Sequence, residues 1–409
     1  MALWLLIPAI VLCFLSMWIV LPPPHAGLLP LAVGVPEISA WLLMASLIVI
    51  AVAFSAAHVN VTARLAFNLG AVSAVLCAYP LVRAPFVLRA FDASMEQGLG
   101  IDYERQIPAD ARSALRPHAI AAADFVRGIG GTAVRIQRGV EFAKPGGVPL
   151  TLDIYRPALP GPGPSAVEGP GPSAVEGSHP ILLQVYGGAW QRGSPEDNAS
   201  FARYFASKGY LVVAVDYRHA PEFTWPAQIQ DVRTALGWII THAGEYEGDP
   251  GRLALIGRSA GAQLALVAAY QAGMPLVRAA VSYYGPVDLA EGWRRPPRPD
   301  PLDIRRILET YLGGTPDGVP VPYHDASPVT YAARRVPPTL LIYGTRDHVV
   351  EARFGSELHG RLQQAGAISV LLEIPWAEHA FDALPNGLSG QMSLFYTERF
   401  LAWALRRAG

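Results

Sequence analysis

The hydrophobic positions of this chain form long uncharged runs at its start and short runs further on. The long runs cover residues 2–20, 38–59 and 65–82. An α-helix rises about 1.5 Å per residue, so a run of about 20 residues crosses a hydrocarbon core of about 30 Å. The pattern predicts three transmembrane helices in residues 1–90, and Arg64 and Arg83 bracket the third, as headgroup anchors do.

Two alternatives remain open for these runs. A signal peptide would explain the first, although no Lys or Arg precedes it and the other two would remain. A buried soluble helical domain would explain all three, but successive long apolar stretches are unusual in a soluble fold. We therefore expect a multi-pass membrane protein. Two arginines, Arg83 and Arg89, follow the third run, and one, Arg64, precedes it. By the positive-inside rule, this excess of one positive residue weakly favours a cytoplasmic location for the rest of the chain.

Beyond a linker at residues 91–132, which is mixed in charge and helical in part, the short runs predict an α/β domain over residues 133–409. An antiparallel pair is expected at residues 134–142 and 148–155, around a Pro-Gly-Gly turn. An eight-residue Gly/Pro-rich segment occurs twice in tandem and predicts a mobile loop at residues 159–178, away from the site. Further buried strands are predicted at residues 181–185, 253–256, 279–284, 338–343 and 369–374.

Ser259 lies in a Gly-Arg-Ser-Ala-Gly sequence between a predicted strand and the small-residue helix at residues 260–270. A Gly-x-Ser-x-Gly turn in that context is typical of a nucleophile elbow, which holds the serine hydroxyl above the strand end. An ordinary strand-to-helix turn is the alternative for this motif alone. A catalytic serine also needs a base, and the base needs a group that orients it.

Candidates for both partners follow later strands. Asp347 ends the Gly-Thr-Arg-Asp sequence after the strand at 338–343, and His379 follows the strand at 369–374. The order Ser259, Asp347, His379 is the chain order of α/β-hydrolases. Asp347 could instead cap a turn, His379 could be a loop residue, and three other carboxylates compete for the role of the acid: Glu378, Asp382 and Asp288.

An oxyanion hole is predicted in the Tyr-Gly-Gly-Ala-Trp sequence after the strand at 181–185. Adjacent glycines let backbone N–H groups approach a substrate oxygen, and they act with the N–H of the residue after the nucleophile. The candidate donors are Gly187, Gly188 and Ala260. A simple Gly-Gly turn is the alternative.

Residues from about 130 to 409 resemble the α/β-hydrolases of the esterase and lipase type, near the hormone-sensitive-lipase-like and carboxylesterase families. The resemblance rests on Leu-Asp-Ile-Tyr-Arg-Pro at 152–157, Tyr-Gly-Gly-Ala-Trp at 186–190, Asp-Tyr-Arg-His-Ala-Pro-Glu at 216–222, and the motifs at 257–261, 344–347 and 378–381. It implies a mostly parallel twisted sheet flanked by helices, and a carboxylic ester hydrolase that acts through an acyl-enzyme. A peptidase of the prolyl-oligopeptidase type and a non-catalytic binding protein stay open as alternatives.

The chain departs from this family at three positions. Tyr186 stands where His is usual, Ala189 where a third Gly is usual, and Arg258 where an acidic residue is frequent. The last difference is expected to change the charge near the mouth of the pocket. Asp216 and Arg218 are interpreted as residues that brace a loop.

Composition narrows the partners. A formal net charge of −1 gives no argument for binding nucleic acid, so a small-molecule ester or lipid and membrane lipids are the expected partners. Cys13 and Cys77 both lie in the apolar runs, so the α/β domain has neither a disulfide nor cysteine-bound zinc, and the chemistry needs no cofactor or metal. A cap insertion is predicted at residues 288–336, with its Arg/Pro-rich run at 294–299 solvated, and Trp190, Trp225 and Trp376 are candidates for an acyl pocket.

Overall fold

The computed structural model describes residues 2–55, 57, 60–158, 178–271 and 277–406, so nearly all of the predicted Gly/Pro loop at 159–178 lies outside the described residues. The chain begins with a group of apolar helices and continues into an α/β domain. The helices before the sheet are α1 (Ala2–Met17), α2 (Leu29–Glu37), α3 (Ser39–Phe54), α4 (Val61–Leu99), α5 (Ala109–Ser113) and α6 (Ala122–Arg127). We call α1 to α4 the helical region.

The α/β domain contains a twisted sheet with helices on both faces. Its elements in chain order are β1 (Val134–Ala143), β2 (Leu150–Pro157), β3 (His179–Val185), α7 (Ala199–Ser207), β4 (Leu211–Val215), α8 (Ala227–His242), β5 (Gly248–Arg258), α9 (Ala260–Tyr270), β6 (Val277–Tyr283), α10 (Leu289–Arg294), α11 (Ile304–Leu312), α12 (Pro320–Ala326), β7 (Thr339–Gly344), α13 (Arg353–Gln364), β8 (Ser369–Ile374) and α14 (Leu388–Arg406).

The sheet has the order β1-β2-β4-β3-β5-β6-β7-β8. Strand β2 is antiparallel to both of its neighbours, β1 and β4, and its pairing with β1 is the antiparallel pair predicted from the sequence. The other strands, β3 to β8, are parallel to one another. The central strands are buried on both faces, which is why they appear in the sequence as continuous apolar runs rather than alternating ones. All the carboxyl ends of the parallel strands therefore meet at one edge, where ligand sites of such sheets lie.

The predicted insertion at residues 288–336 contains α10, α11 and α12, between β6 and β7. Leu308 and Tyr311 on α11 are buried against the domain, so the insertion is packed on it and is not a free loop. It covers the carboxyl edge of the sheet and contributes residues to the cavity described below.

The three predicted membrane spans fall on α1, α3 and the first part of α4. Helices α1 and α3 have 16 residues each, fewer than the predicted runs at 2–20 and 38–59. By length and composition, α4 is the one described helix that could cross a bilayer by itself. Helices α2 and α3 would add a second span only if the pair, bent by 78°, counts as one. The expectation of three such helices is thus met by one or two.

Helix α4 continues without interruption through residue 90, where we predicted the linker to begin. Its last turns pack on β8 and α14 of the α/β domain. The ring of Phe91 meets that of Tyr396 edge-on at 5.2 Å, and the Tyr396 hydroxyl donates to Asp92 Oδ1 at 2.7 Å. The first half of α4 therefore belongs to the group of apolar helices and the second half to the surface of the α/β domain.

Candidate active site

Ser259 occupies the sharp turn between β5 and α9. Its backbone has φ +51° and ψ −123°, in a region that residues with a side chain rarely adopt, and its N–H donates to the Tyr283 carbonyl at 2.9 Å. A Cβ atom on Gly261 would lie 2.2 Å from the Tyr186 carbonyl oxygen, so the turn can pack this closely on the end of β3 only with glycine there. The turn holds the half-buried Ser259 side chain at the floor of a cavity.

The three residues expected to form a triad converge at this turn. His379 Nε2 lies 2.9 Å from Ser259 Oγ, and His379 Nδ1 lies 2.7 Å from Asp347 Oδ2. His379 follows β8 and Asp347 follows β7, so both side chains leave the same edge of the sheet as Ser259. The imidazole thus bridges a hydroxyl and a carboxylate in one continuous hydrogen-bonded line.

Asp347 is fixed from behind by backbone donors. The N–H groups of Val349 and Val350 donate to its Oδ1 at 2.8 and 2.7 Å, and the residue is almost fully buried. Burial raises the pKa of Asp347 above its usual value, while His379 and the Val350 N–H oppose that rise because they stabilise the carboxylate. The carboxylate is therefore oriented independently of His379 and presents its other oxygen to the imidazole.

The competing carboxylates have other partners. Glu378 accepts from the backbone N–H groups of His348 and His379 at 2.6 and 3.0 Å, and so ties the two loops together. Asp382 pairs with Arg258, and Asp288 accepts from the Glu291 N–H at the start of α10. Among these candidates, Asp347 is the one that contacts the His379 ring nitrogen.

The three candidate oxyanion donors surround Ser259. Gly187, Gly188 and Ala260 all line the cavity next to it. Ala260 is the first residue of α9, where backbone N–H groups have no partner within the helix and the helix dipole favours negative charge. Gly188 has φ +129°, and a Cβ there would lie 2.0 Å from the Arg192 carbonyl oxygen, so the loop conformation requires glycine.

Tyr186 braces this loop from below. Its hydroxyl donates to Asp216 Oδ1 at 2.5 Å and lies 2.9 Å from His219 Nε2, while its ring stacks on Tyr217 at 4.5 Å. Burial raises the pKa of Tyr186, which keeps the hydroxyl protonated and able to donate. The tyrosine, which stands where the resembled family usually has histidine, therefore braces the loop.

Arg218 also braces its loop, as expected, through a two-oxygen contact with Asp231.

Arg258 lines the cavity, but its charge is buried and paired, so the change of charge predicted near the mouth is balanced by a neighbouring carboxylate. Its side chain is buried, with the guanidinium 4.3 Å from the Phe201 ring centre and 4.9 Å from that of Tyr283. Its Nε donates to Asp382 Oδ2 at 2.5 Å, so the positive charge is balanced inside the domain. Removal of both groups from water is compensated by this pair and by the two rings.

The three tryptophans have different surroundings. Trp190 lines the cavity and stacks on Tyr311 at 4.1 Å, and Trp225 meets the edge of the same ring at 6.0 Å. Trp376 is instead buried in the core, where its Nε1 donates to Ser389 Oγ at 3.0 Å.

Gln263 also supports the site, although it was not among the residues predicted from the sequence. Its Oε1 accepts from Trp190 Nε1 at 2.9 Å and from the Tyr311 hydroxyl at 3.2 Å, so it joins the oxyanion loop to the cap. The only sequence signal was its position one helical turn after Ser259 on α9.

A cavity of about 1320 Å³ opens above Ser259 and His379. One apolar wall comes from α10, α11 and the segment that follows Asp347. The lining also includes residues from the connection between α1 and α3, which was not predicted to contribute to the site. The four residues that this connection contributes are Ala26, Leu29, Pro30 and Val33.

Comparison with known proteins finds relatives of this chain in sequence. The family described as BD-FAE matches residues 171–362. A probable carboxylic ester hydrolase, LipM, of Mycobacterium tuberculosis is 33% identical over 246 residues, which are 56% of this chain and 56% of LipM. The esterase LipQ of the same organism is 32% identical over 251 residues, 58% of this chain and 56% of LipQ. The match thus spans just over half the length of each relative.

Solved structures share the fold of the domain. An esterase of Pyrobaculum calidifontis superposes with a TM-score of 0.55 at 23% identity, over 74% of this chain and 94% of that protein. At this identity the likeness establishes the α/β-hydrolase fold, with its eight-stranded, mostly parallel sheet. The α/β domain of this chain therefore has the α/β-hydrolase fold and is similar in sequence to proteins described as esterases.

Proposed function

We propose that this chain, whose α/β-hydrolase domain is related in sequence to carboxylic ester hydrolases, is a membrane-anchored serine esterase that cleaves lipophilic carboxylic esters. The observation that carries the proposal is the line from Ser259 Oγ to His379 Nε2 at 2.9 Å and from His379 Nδ1 to Asp347 Oδ2 at 2.7 Å. A hydroxyl, an imidazole and a buried carboxylate in this order form the arrangement that activates a serine nucleophile.

In the first step, His379 Nε2 takes the proton of Ser259 as Oγ attacks the ester carbonyl carbon. The carbonyl oxygen becomes an oxyanion, which accepts hydrogen bonds from the backbone N–H groups at Gly187, Gly188 and Ala260. Asp347 stabilises the imidazolium and keeps the ring in the orientation that presents Nε2 to the serine. Donors fixed in advance stabilise the charge that develops in the transition state more than that of the substrate.

Collapse of this intermediate breaks the ester C–O bond, and His379 returns the proton to the leaving alcohol. The acyl group then remains on Ser259 Oγ. A water molecule loses its proton to His379 and attacks the acyl carbon, and a second collapse releases the carboxylic acid and restores the serine hydroxyl.

Membrane anchoring is supported by where the large apolar side chains of the helical region lie. Many of them on α1, α3 and α4 are exposed, including Trp4, Ile48 and Val75. Contiguous exposed apolar surface of this kind marks contact with a membrane or a partner. Most of the side chains buried between the helices are small, as is usual where helices pack inside lipid, although Leu12, Leu42 and Val49 are buried there too.

A fluorophosphonate probe tests the esterase proposal directly. We expect the probe to label the purified full-length chain and to fail to label Ser259→Ala, because the label forms on an activated serine. Matched p-nitrophenyl esters and peptide p-nitroanilides then separate the chemistries, and we expect turnover of the esters. An unlabelled wild-type chain, or turnover of the amides alone, would refute the esterase assignment.

A further inference from the structure

The connection between α1 and α3 forms part of the active-site cavity. Four residues of it line the cavity together with Ser259 and His379: Ala26, Leu29, Pro30 and Val33. All four have apolar side chains, and they line the same cavity as apolar residues of α10 and α11. A segment from the helical region therefore completes a pocket whose chemistry belongs to the α/β domain.

Two polar contacts attach this connection to the loops that carry the triad. The guanidinium of Arg346, next to Asp347 in sequence, donates to the carbonyl of Val20 just after α1. At the other end, Glu37 accepts the backbone N–H of Ser389 at 2.7 Å, at the start of α14. The connection is thus held at both of its ends against the catalytic side of the domain.

Helix α2 separates two apolar environments. Leu29 packs against the core of the α/β domain, whereas Leu28 and Leu31 pack against the cluster formed between the apolar helices. Helix α2 makes an angle of 78° with α3. One short helix therefore has side chains in contact with the apolar helices and side chains in the lining of the cavity that holds Ser259.

We propose that α2 is the acyl-binding wall of the cavity, so that the site accepts long-chain, membrane-resident esters and α2 sets the preferred chain length. This inference depends on the proposed esterase function. The cavity, at about 1320 Å³, exceeds the usual range of about 300–1,000 Å³ for small-molecule sites. Apolar residues in the lining fit a methylene chain: Leu29 and Val33 from α2, and Leu289, Leu302, Ile307 and Leu308 from the insertion between β6 and β7.

Each methylene group buried in this lining strengthens transition-state binding by about fourfold. An apolar lining therefore raises kcat/KM as the acyl chain becomes longer. A large side chain on α2 removes that gain for long acyl chains, while an acetyl group has no methylene groups to bury against α2. A change on α2 should therefore alter the ratio of the two rates rather than both rates together.

The test compares p-nitrophenyl dodecanoate with p-nitrophenyl acetate on the full-length chain in detergent micelles. We expect Leu29→Trp and Val33→Trp each to lower the ratio of kcat/KM for dodecanoate to that for acetate by at least about 10-fold. Leu29→Phe, which adds less volume, should lower it less than Leu29→Trp. The control is Leu21→Trp, an exposed position of the same connection that does not line the cavity, and its ratio should equal that of the wild type.

Fluorophosphonate labelling separates the possible failures. If Leu29→Trp and Val33→Trp are labelled at the wild-type rate and keep the wild-type ratio of kcat/KM for dodecanoate to that for acetate, the proposed role of α2 is wrong. The esterase proposal is unaffected by that result. A ratio that falls equally in Leu21→Trp would also overturn the role of α2. A wild-type chain that neither hydrolyses acetate nor accepts the label would refute the esterase function, and the inference with it.

Discussion

The helical region and the α/β domain differ in the size of the side chains that they bury. In the sheet, the large apolar residues are inside, and Val213, Leu255 and Leu341 have no exposed surface. Between α1, α3 and the first half of α4 the buried residues are mostly small, such as Ala9 and Ala66, while many large ones are exposed. Water drives large apolar groups inwards, and hydrocarbon gives no such drive, so helices in lipid pack through small residues.

The two regions also treat polar groups differently. The α/β domain buries charges in pairs, such as Arg258 with Asp382. The helical region instead joins its three long helices through hydroxyls: Ser46 Oγ donates to Ser73 Oγ at 2.8 Å, and Ser73 Oγ donates to the Leu12 carbonyl at 3.2 Å. A neutral hydroxyl is satisfied by one or two partners, whereas a charge needs a compensating charge. Charge placement is therefore the sharpest way to test the contrast.

Removal of the buried charge at the site should have the largest effect. Asp347→Asn is expected to reduce kcat for p-nitrophenyl butyrate by about 10⁴-fold, because an amide no longer holds His379 in the orientation that accepts the serine proton. The matched control is Asp303→Asn at the start of α11, where Asn also caps a helix and the side chain is exposed, so kcat should be unchanged. A loss of less than about 10-fold in Asp347→Asn would contradict the role of the acid.

Addition of a charge should distinguish the two outer surfaces. Ile48 on α3 is 60% exposed and Val321 on α12 is 65% exposed, so the two side chains would be about equally accessible to solvent if both regions were surrounded by water. If α3 contacts lipid, Ile48→Arg costs about 2.5–3.5 kcal/mol of insertion free energy, whereas Val321→Arg changes stability by no more than about 0.5 kcal/mol. The fraction of chain that resists alkaline extraction from membranes should fall for Ile48→Arg only. Equal fractions for the two variants would argue against lipid contact at α3.

The smallest effect is expected where the regions meet. Glu37 lies against α14, outside α1, α3 and α4, and burial raises its pKa from 4.5 to about 8, with Asp382 adding to the rise. Between pH 4.5 and about 8, the Glu37 carboxyl is therefore protonated in the folded chain but ionised in the unfolded chain. The stability that this bound proton contributes decreases as pH rises through this range and is lost above about pH 8. The neutral variant Glu37→Gln lacks this dependence.

Thermal unfolding in detergent at pH 6 and pH 9 measures this contribution. We expect Tm of the wild type to fall more between these pH values than Tm of Glu37→Gln. Parallel decreases in the two proteins would show that Glu37 does not titrate at the junction.

Much of the fold could be predicted because its signals are local. Strands β3 and β5 to β8 are short apolar runs and were predicted, whereas β4 was not, and the elbow at Ser259 is defined by five consecutive residues. The meeting of Ser259, Asp347 and His379 followed from topology, since residues after parallel strands share one edge of the sheet. Their catalytic roles remain predictions that the experiments above test.

What the sequence did not reveal depends on contacts between distant segments. Glu37 and Ser389 are separated by 352 positions, and nothing near either residue indicates the other. Arg258 was placed at the mouth of the pocket because its partner Asp382 lies 124 positions away. The end of the helical region was misplaced for a similar reason, since the second half of α4 is specified by its contacts with β8 and α14.

The continuity of α4 has a mechanical consequence. Because one continuous 39-residue helix takes part in both regions, α4 is not a flexible linker that would let the α/β domain move freely over a bilayer surface. If the first half of α4 lies in lipid, the catalytic serine is kept at a constant height and tilt above it. Encounter with a substrate then depends on lateral diffusion of lipids towards a stationary entrance, and not on the reach of the enzyme.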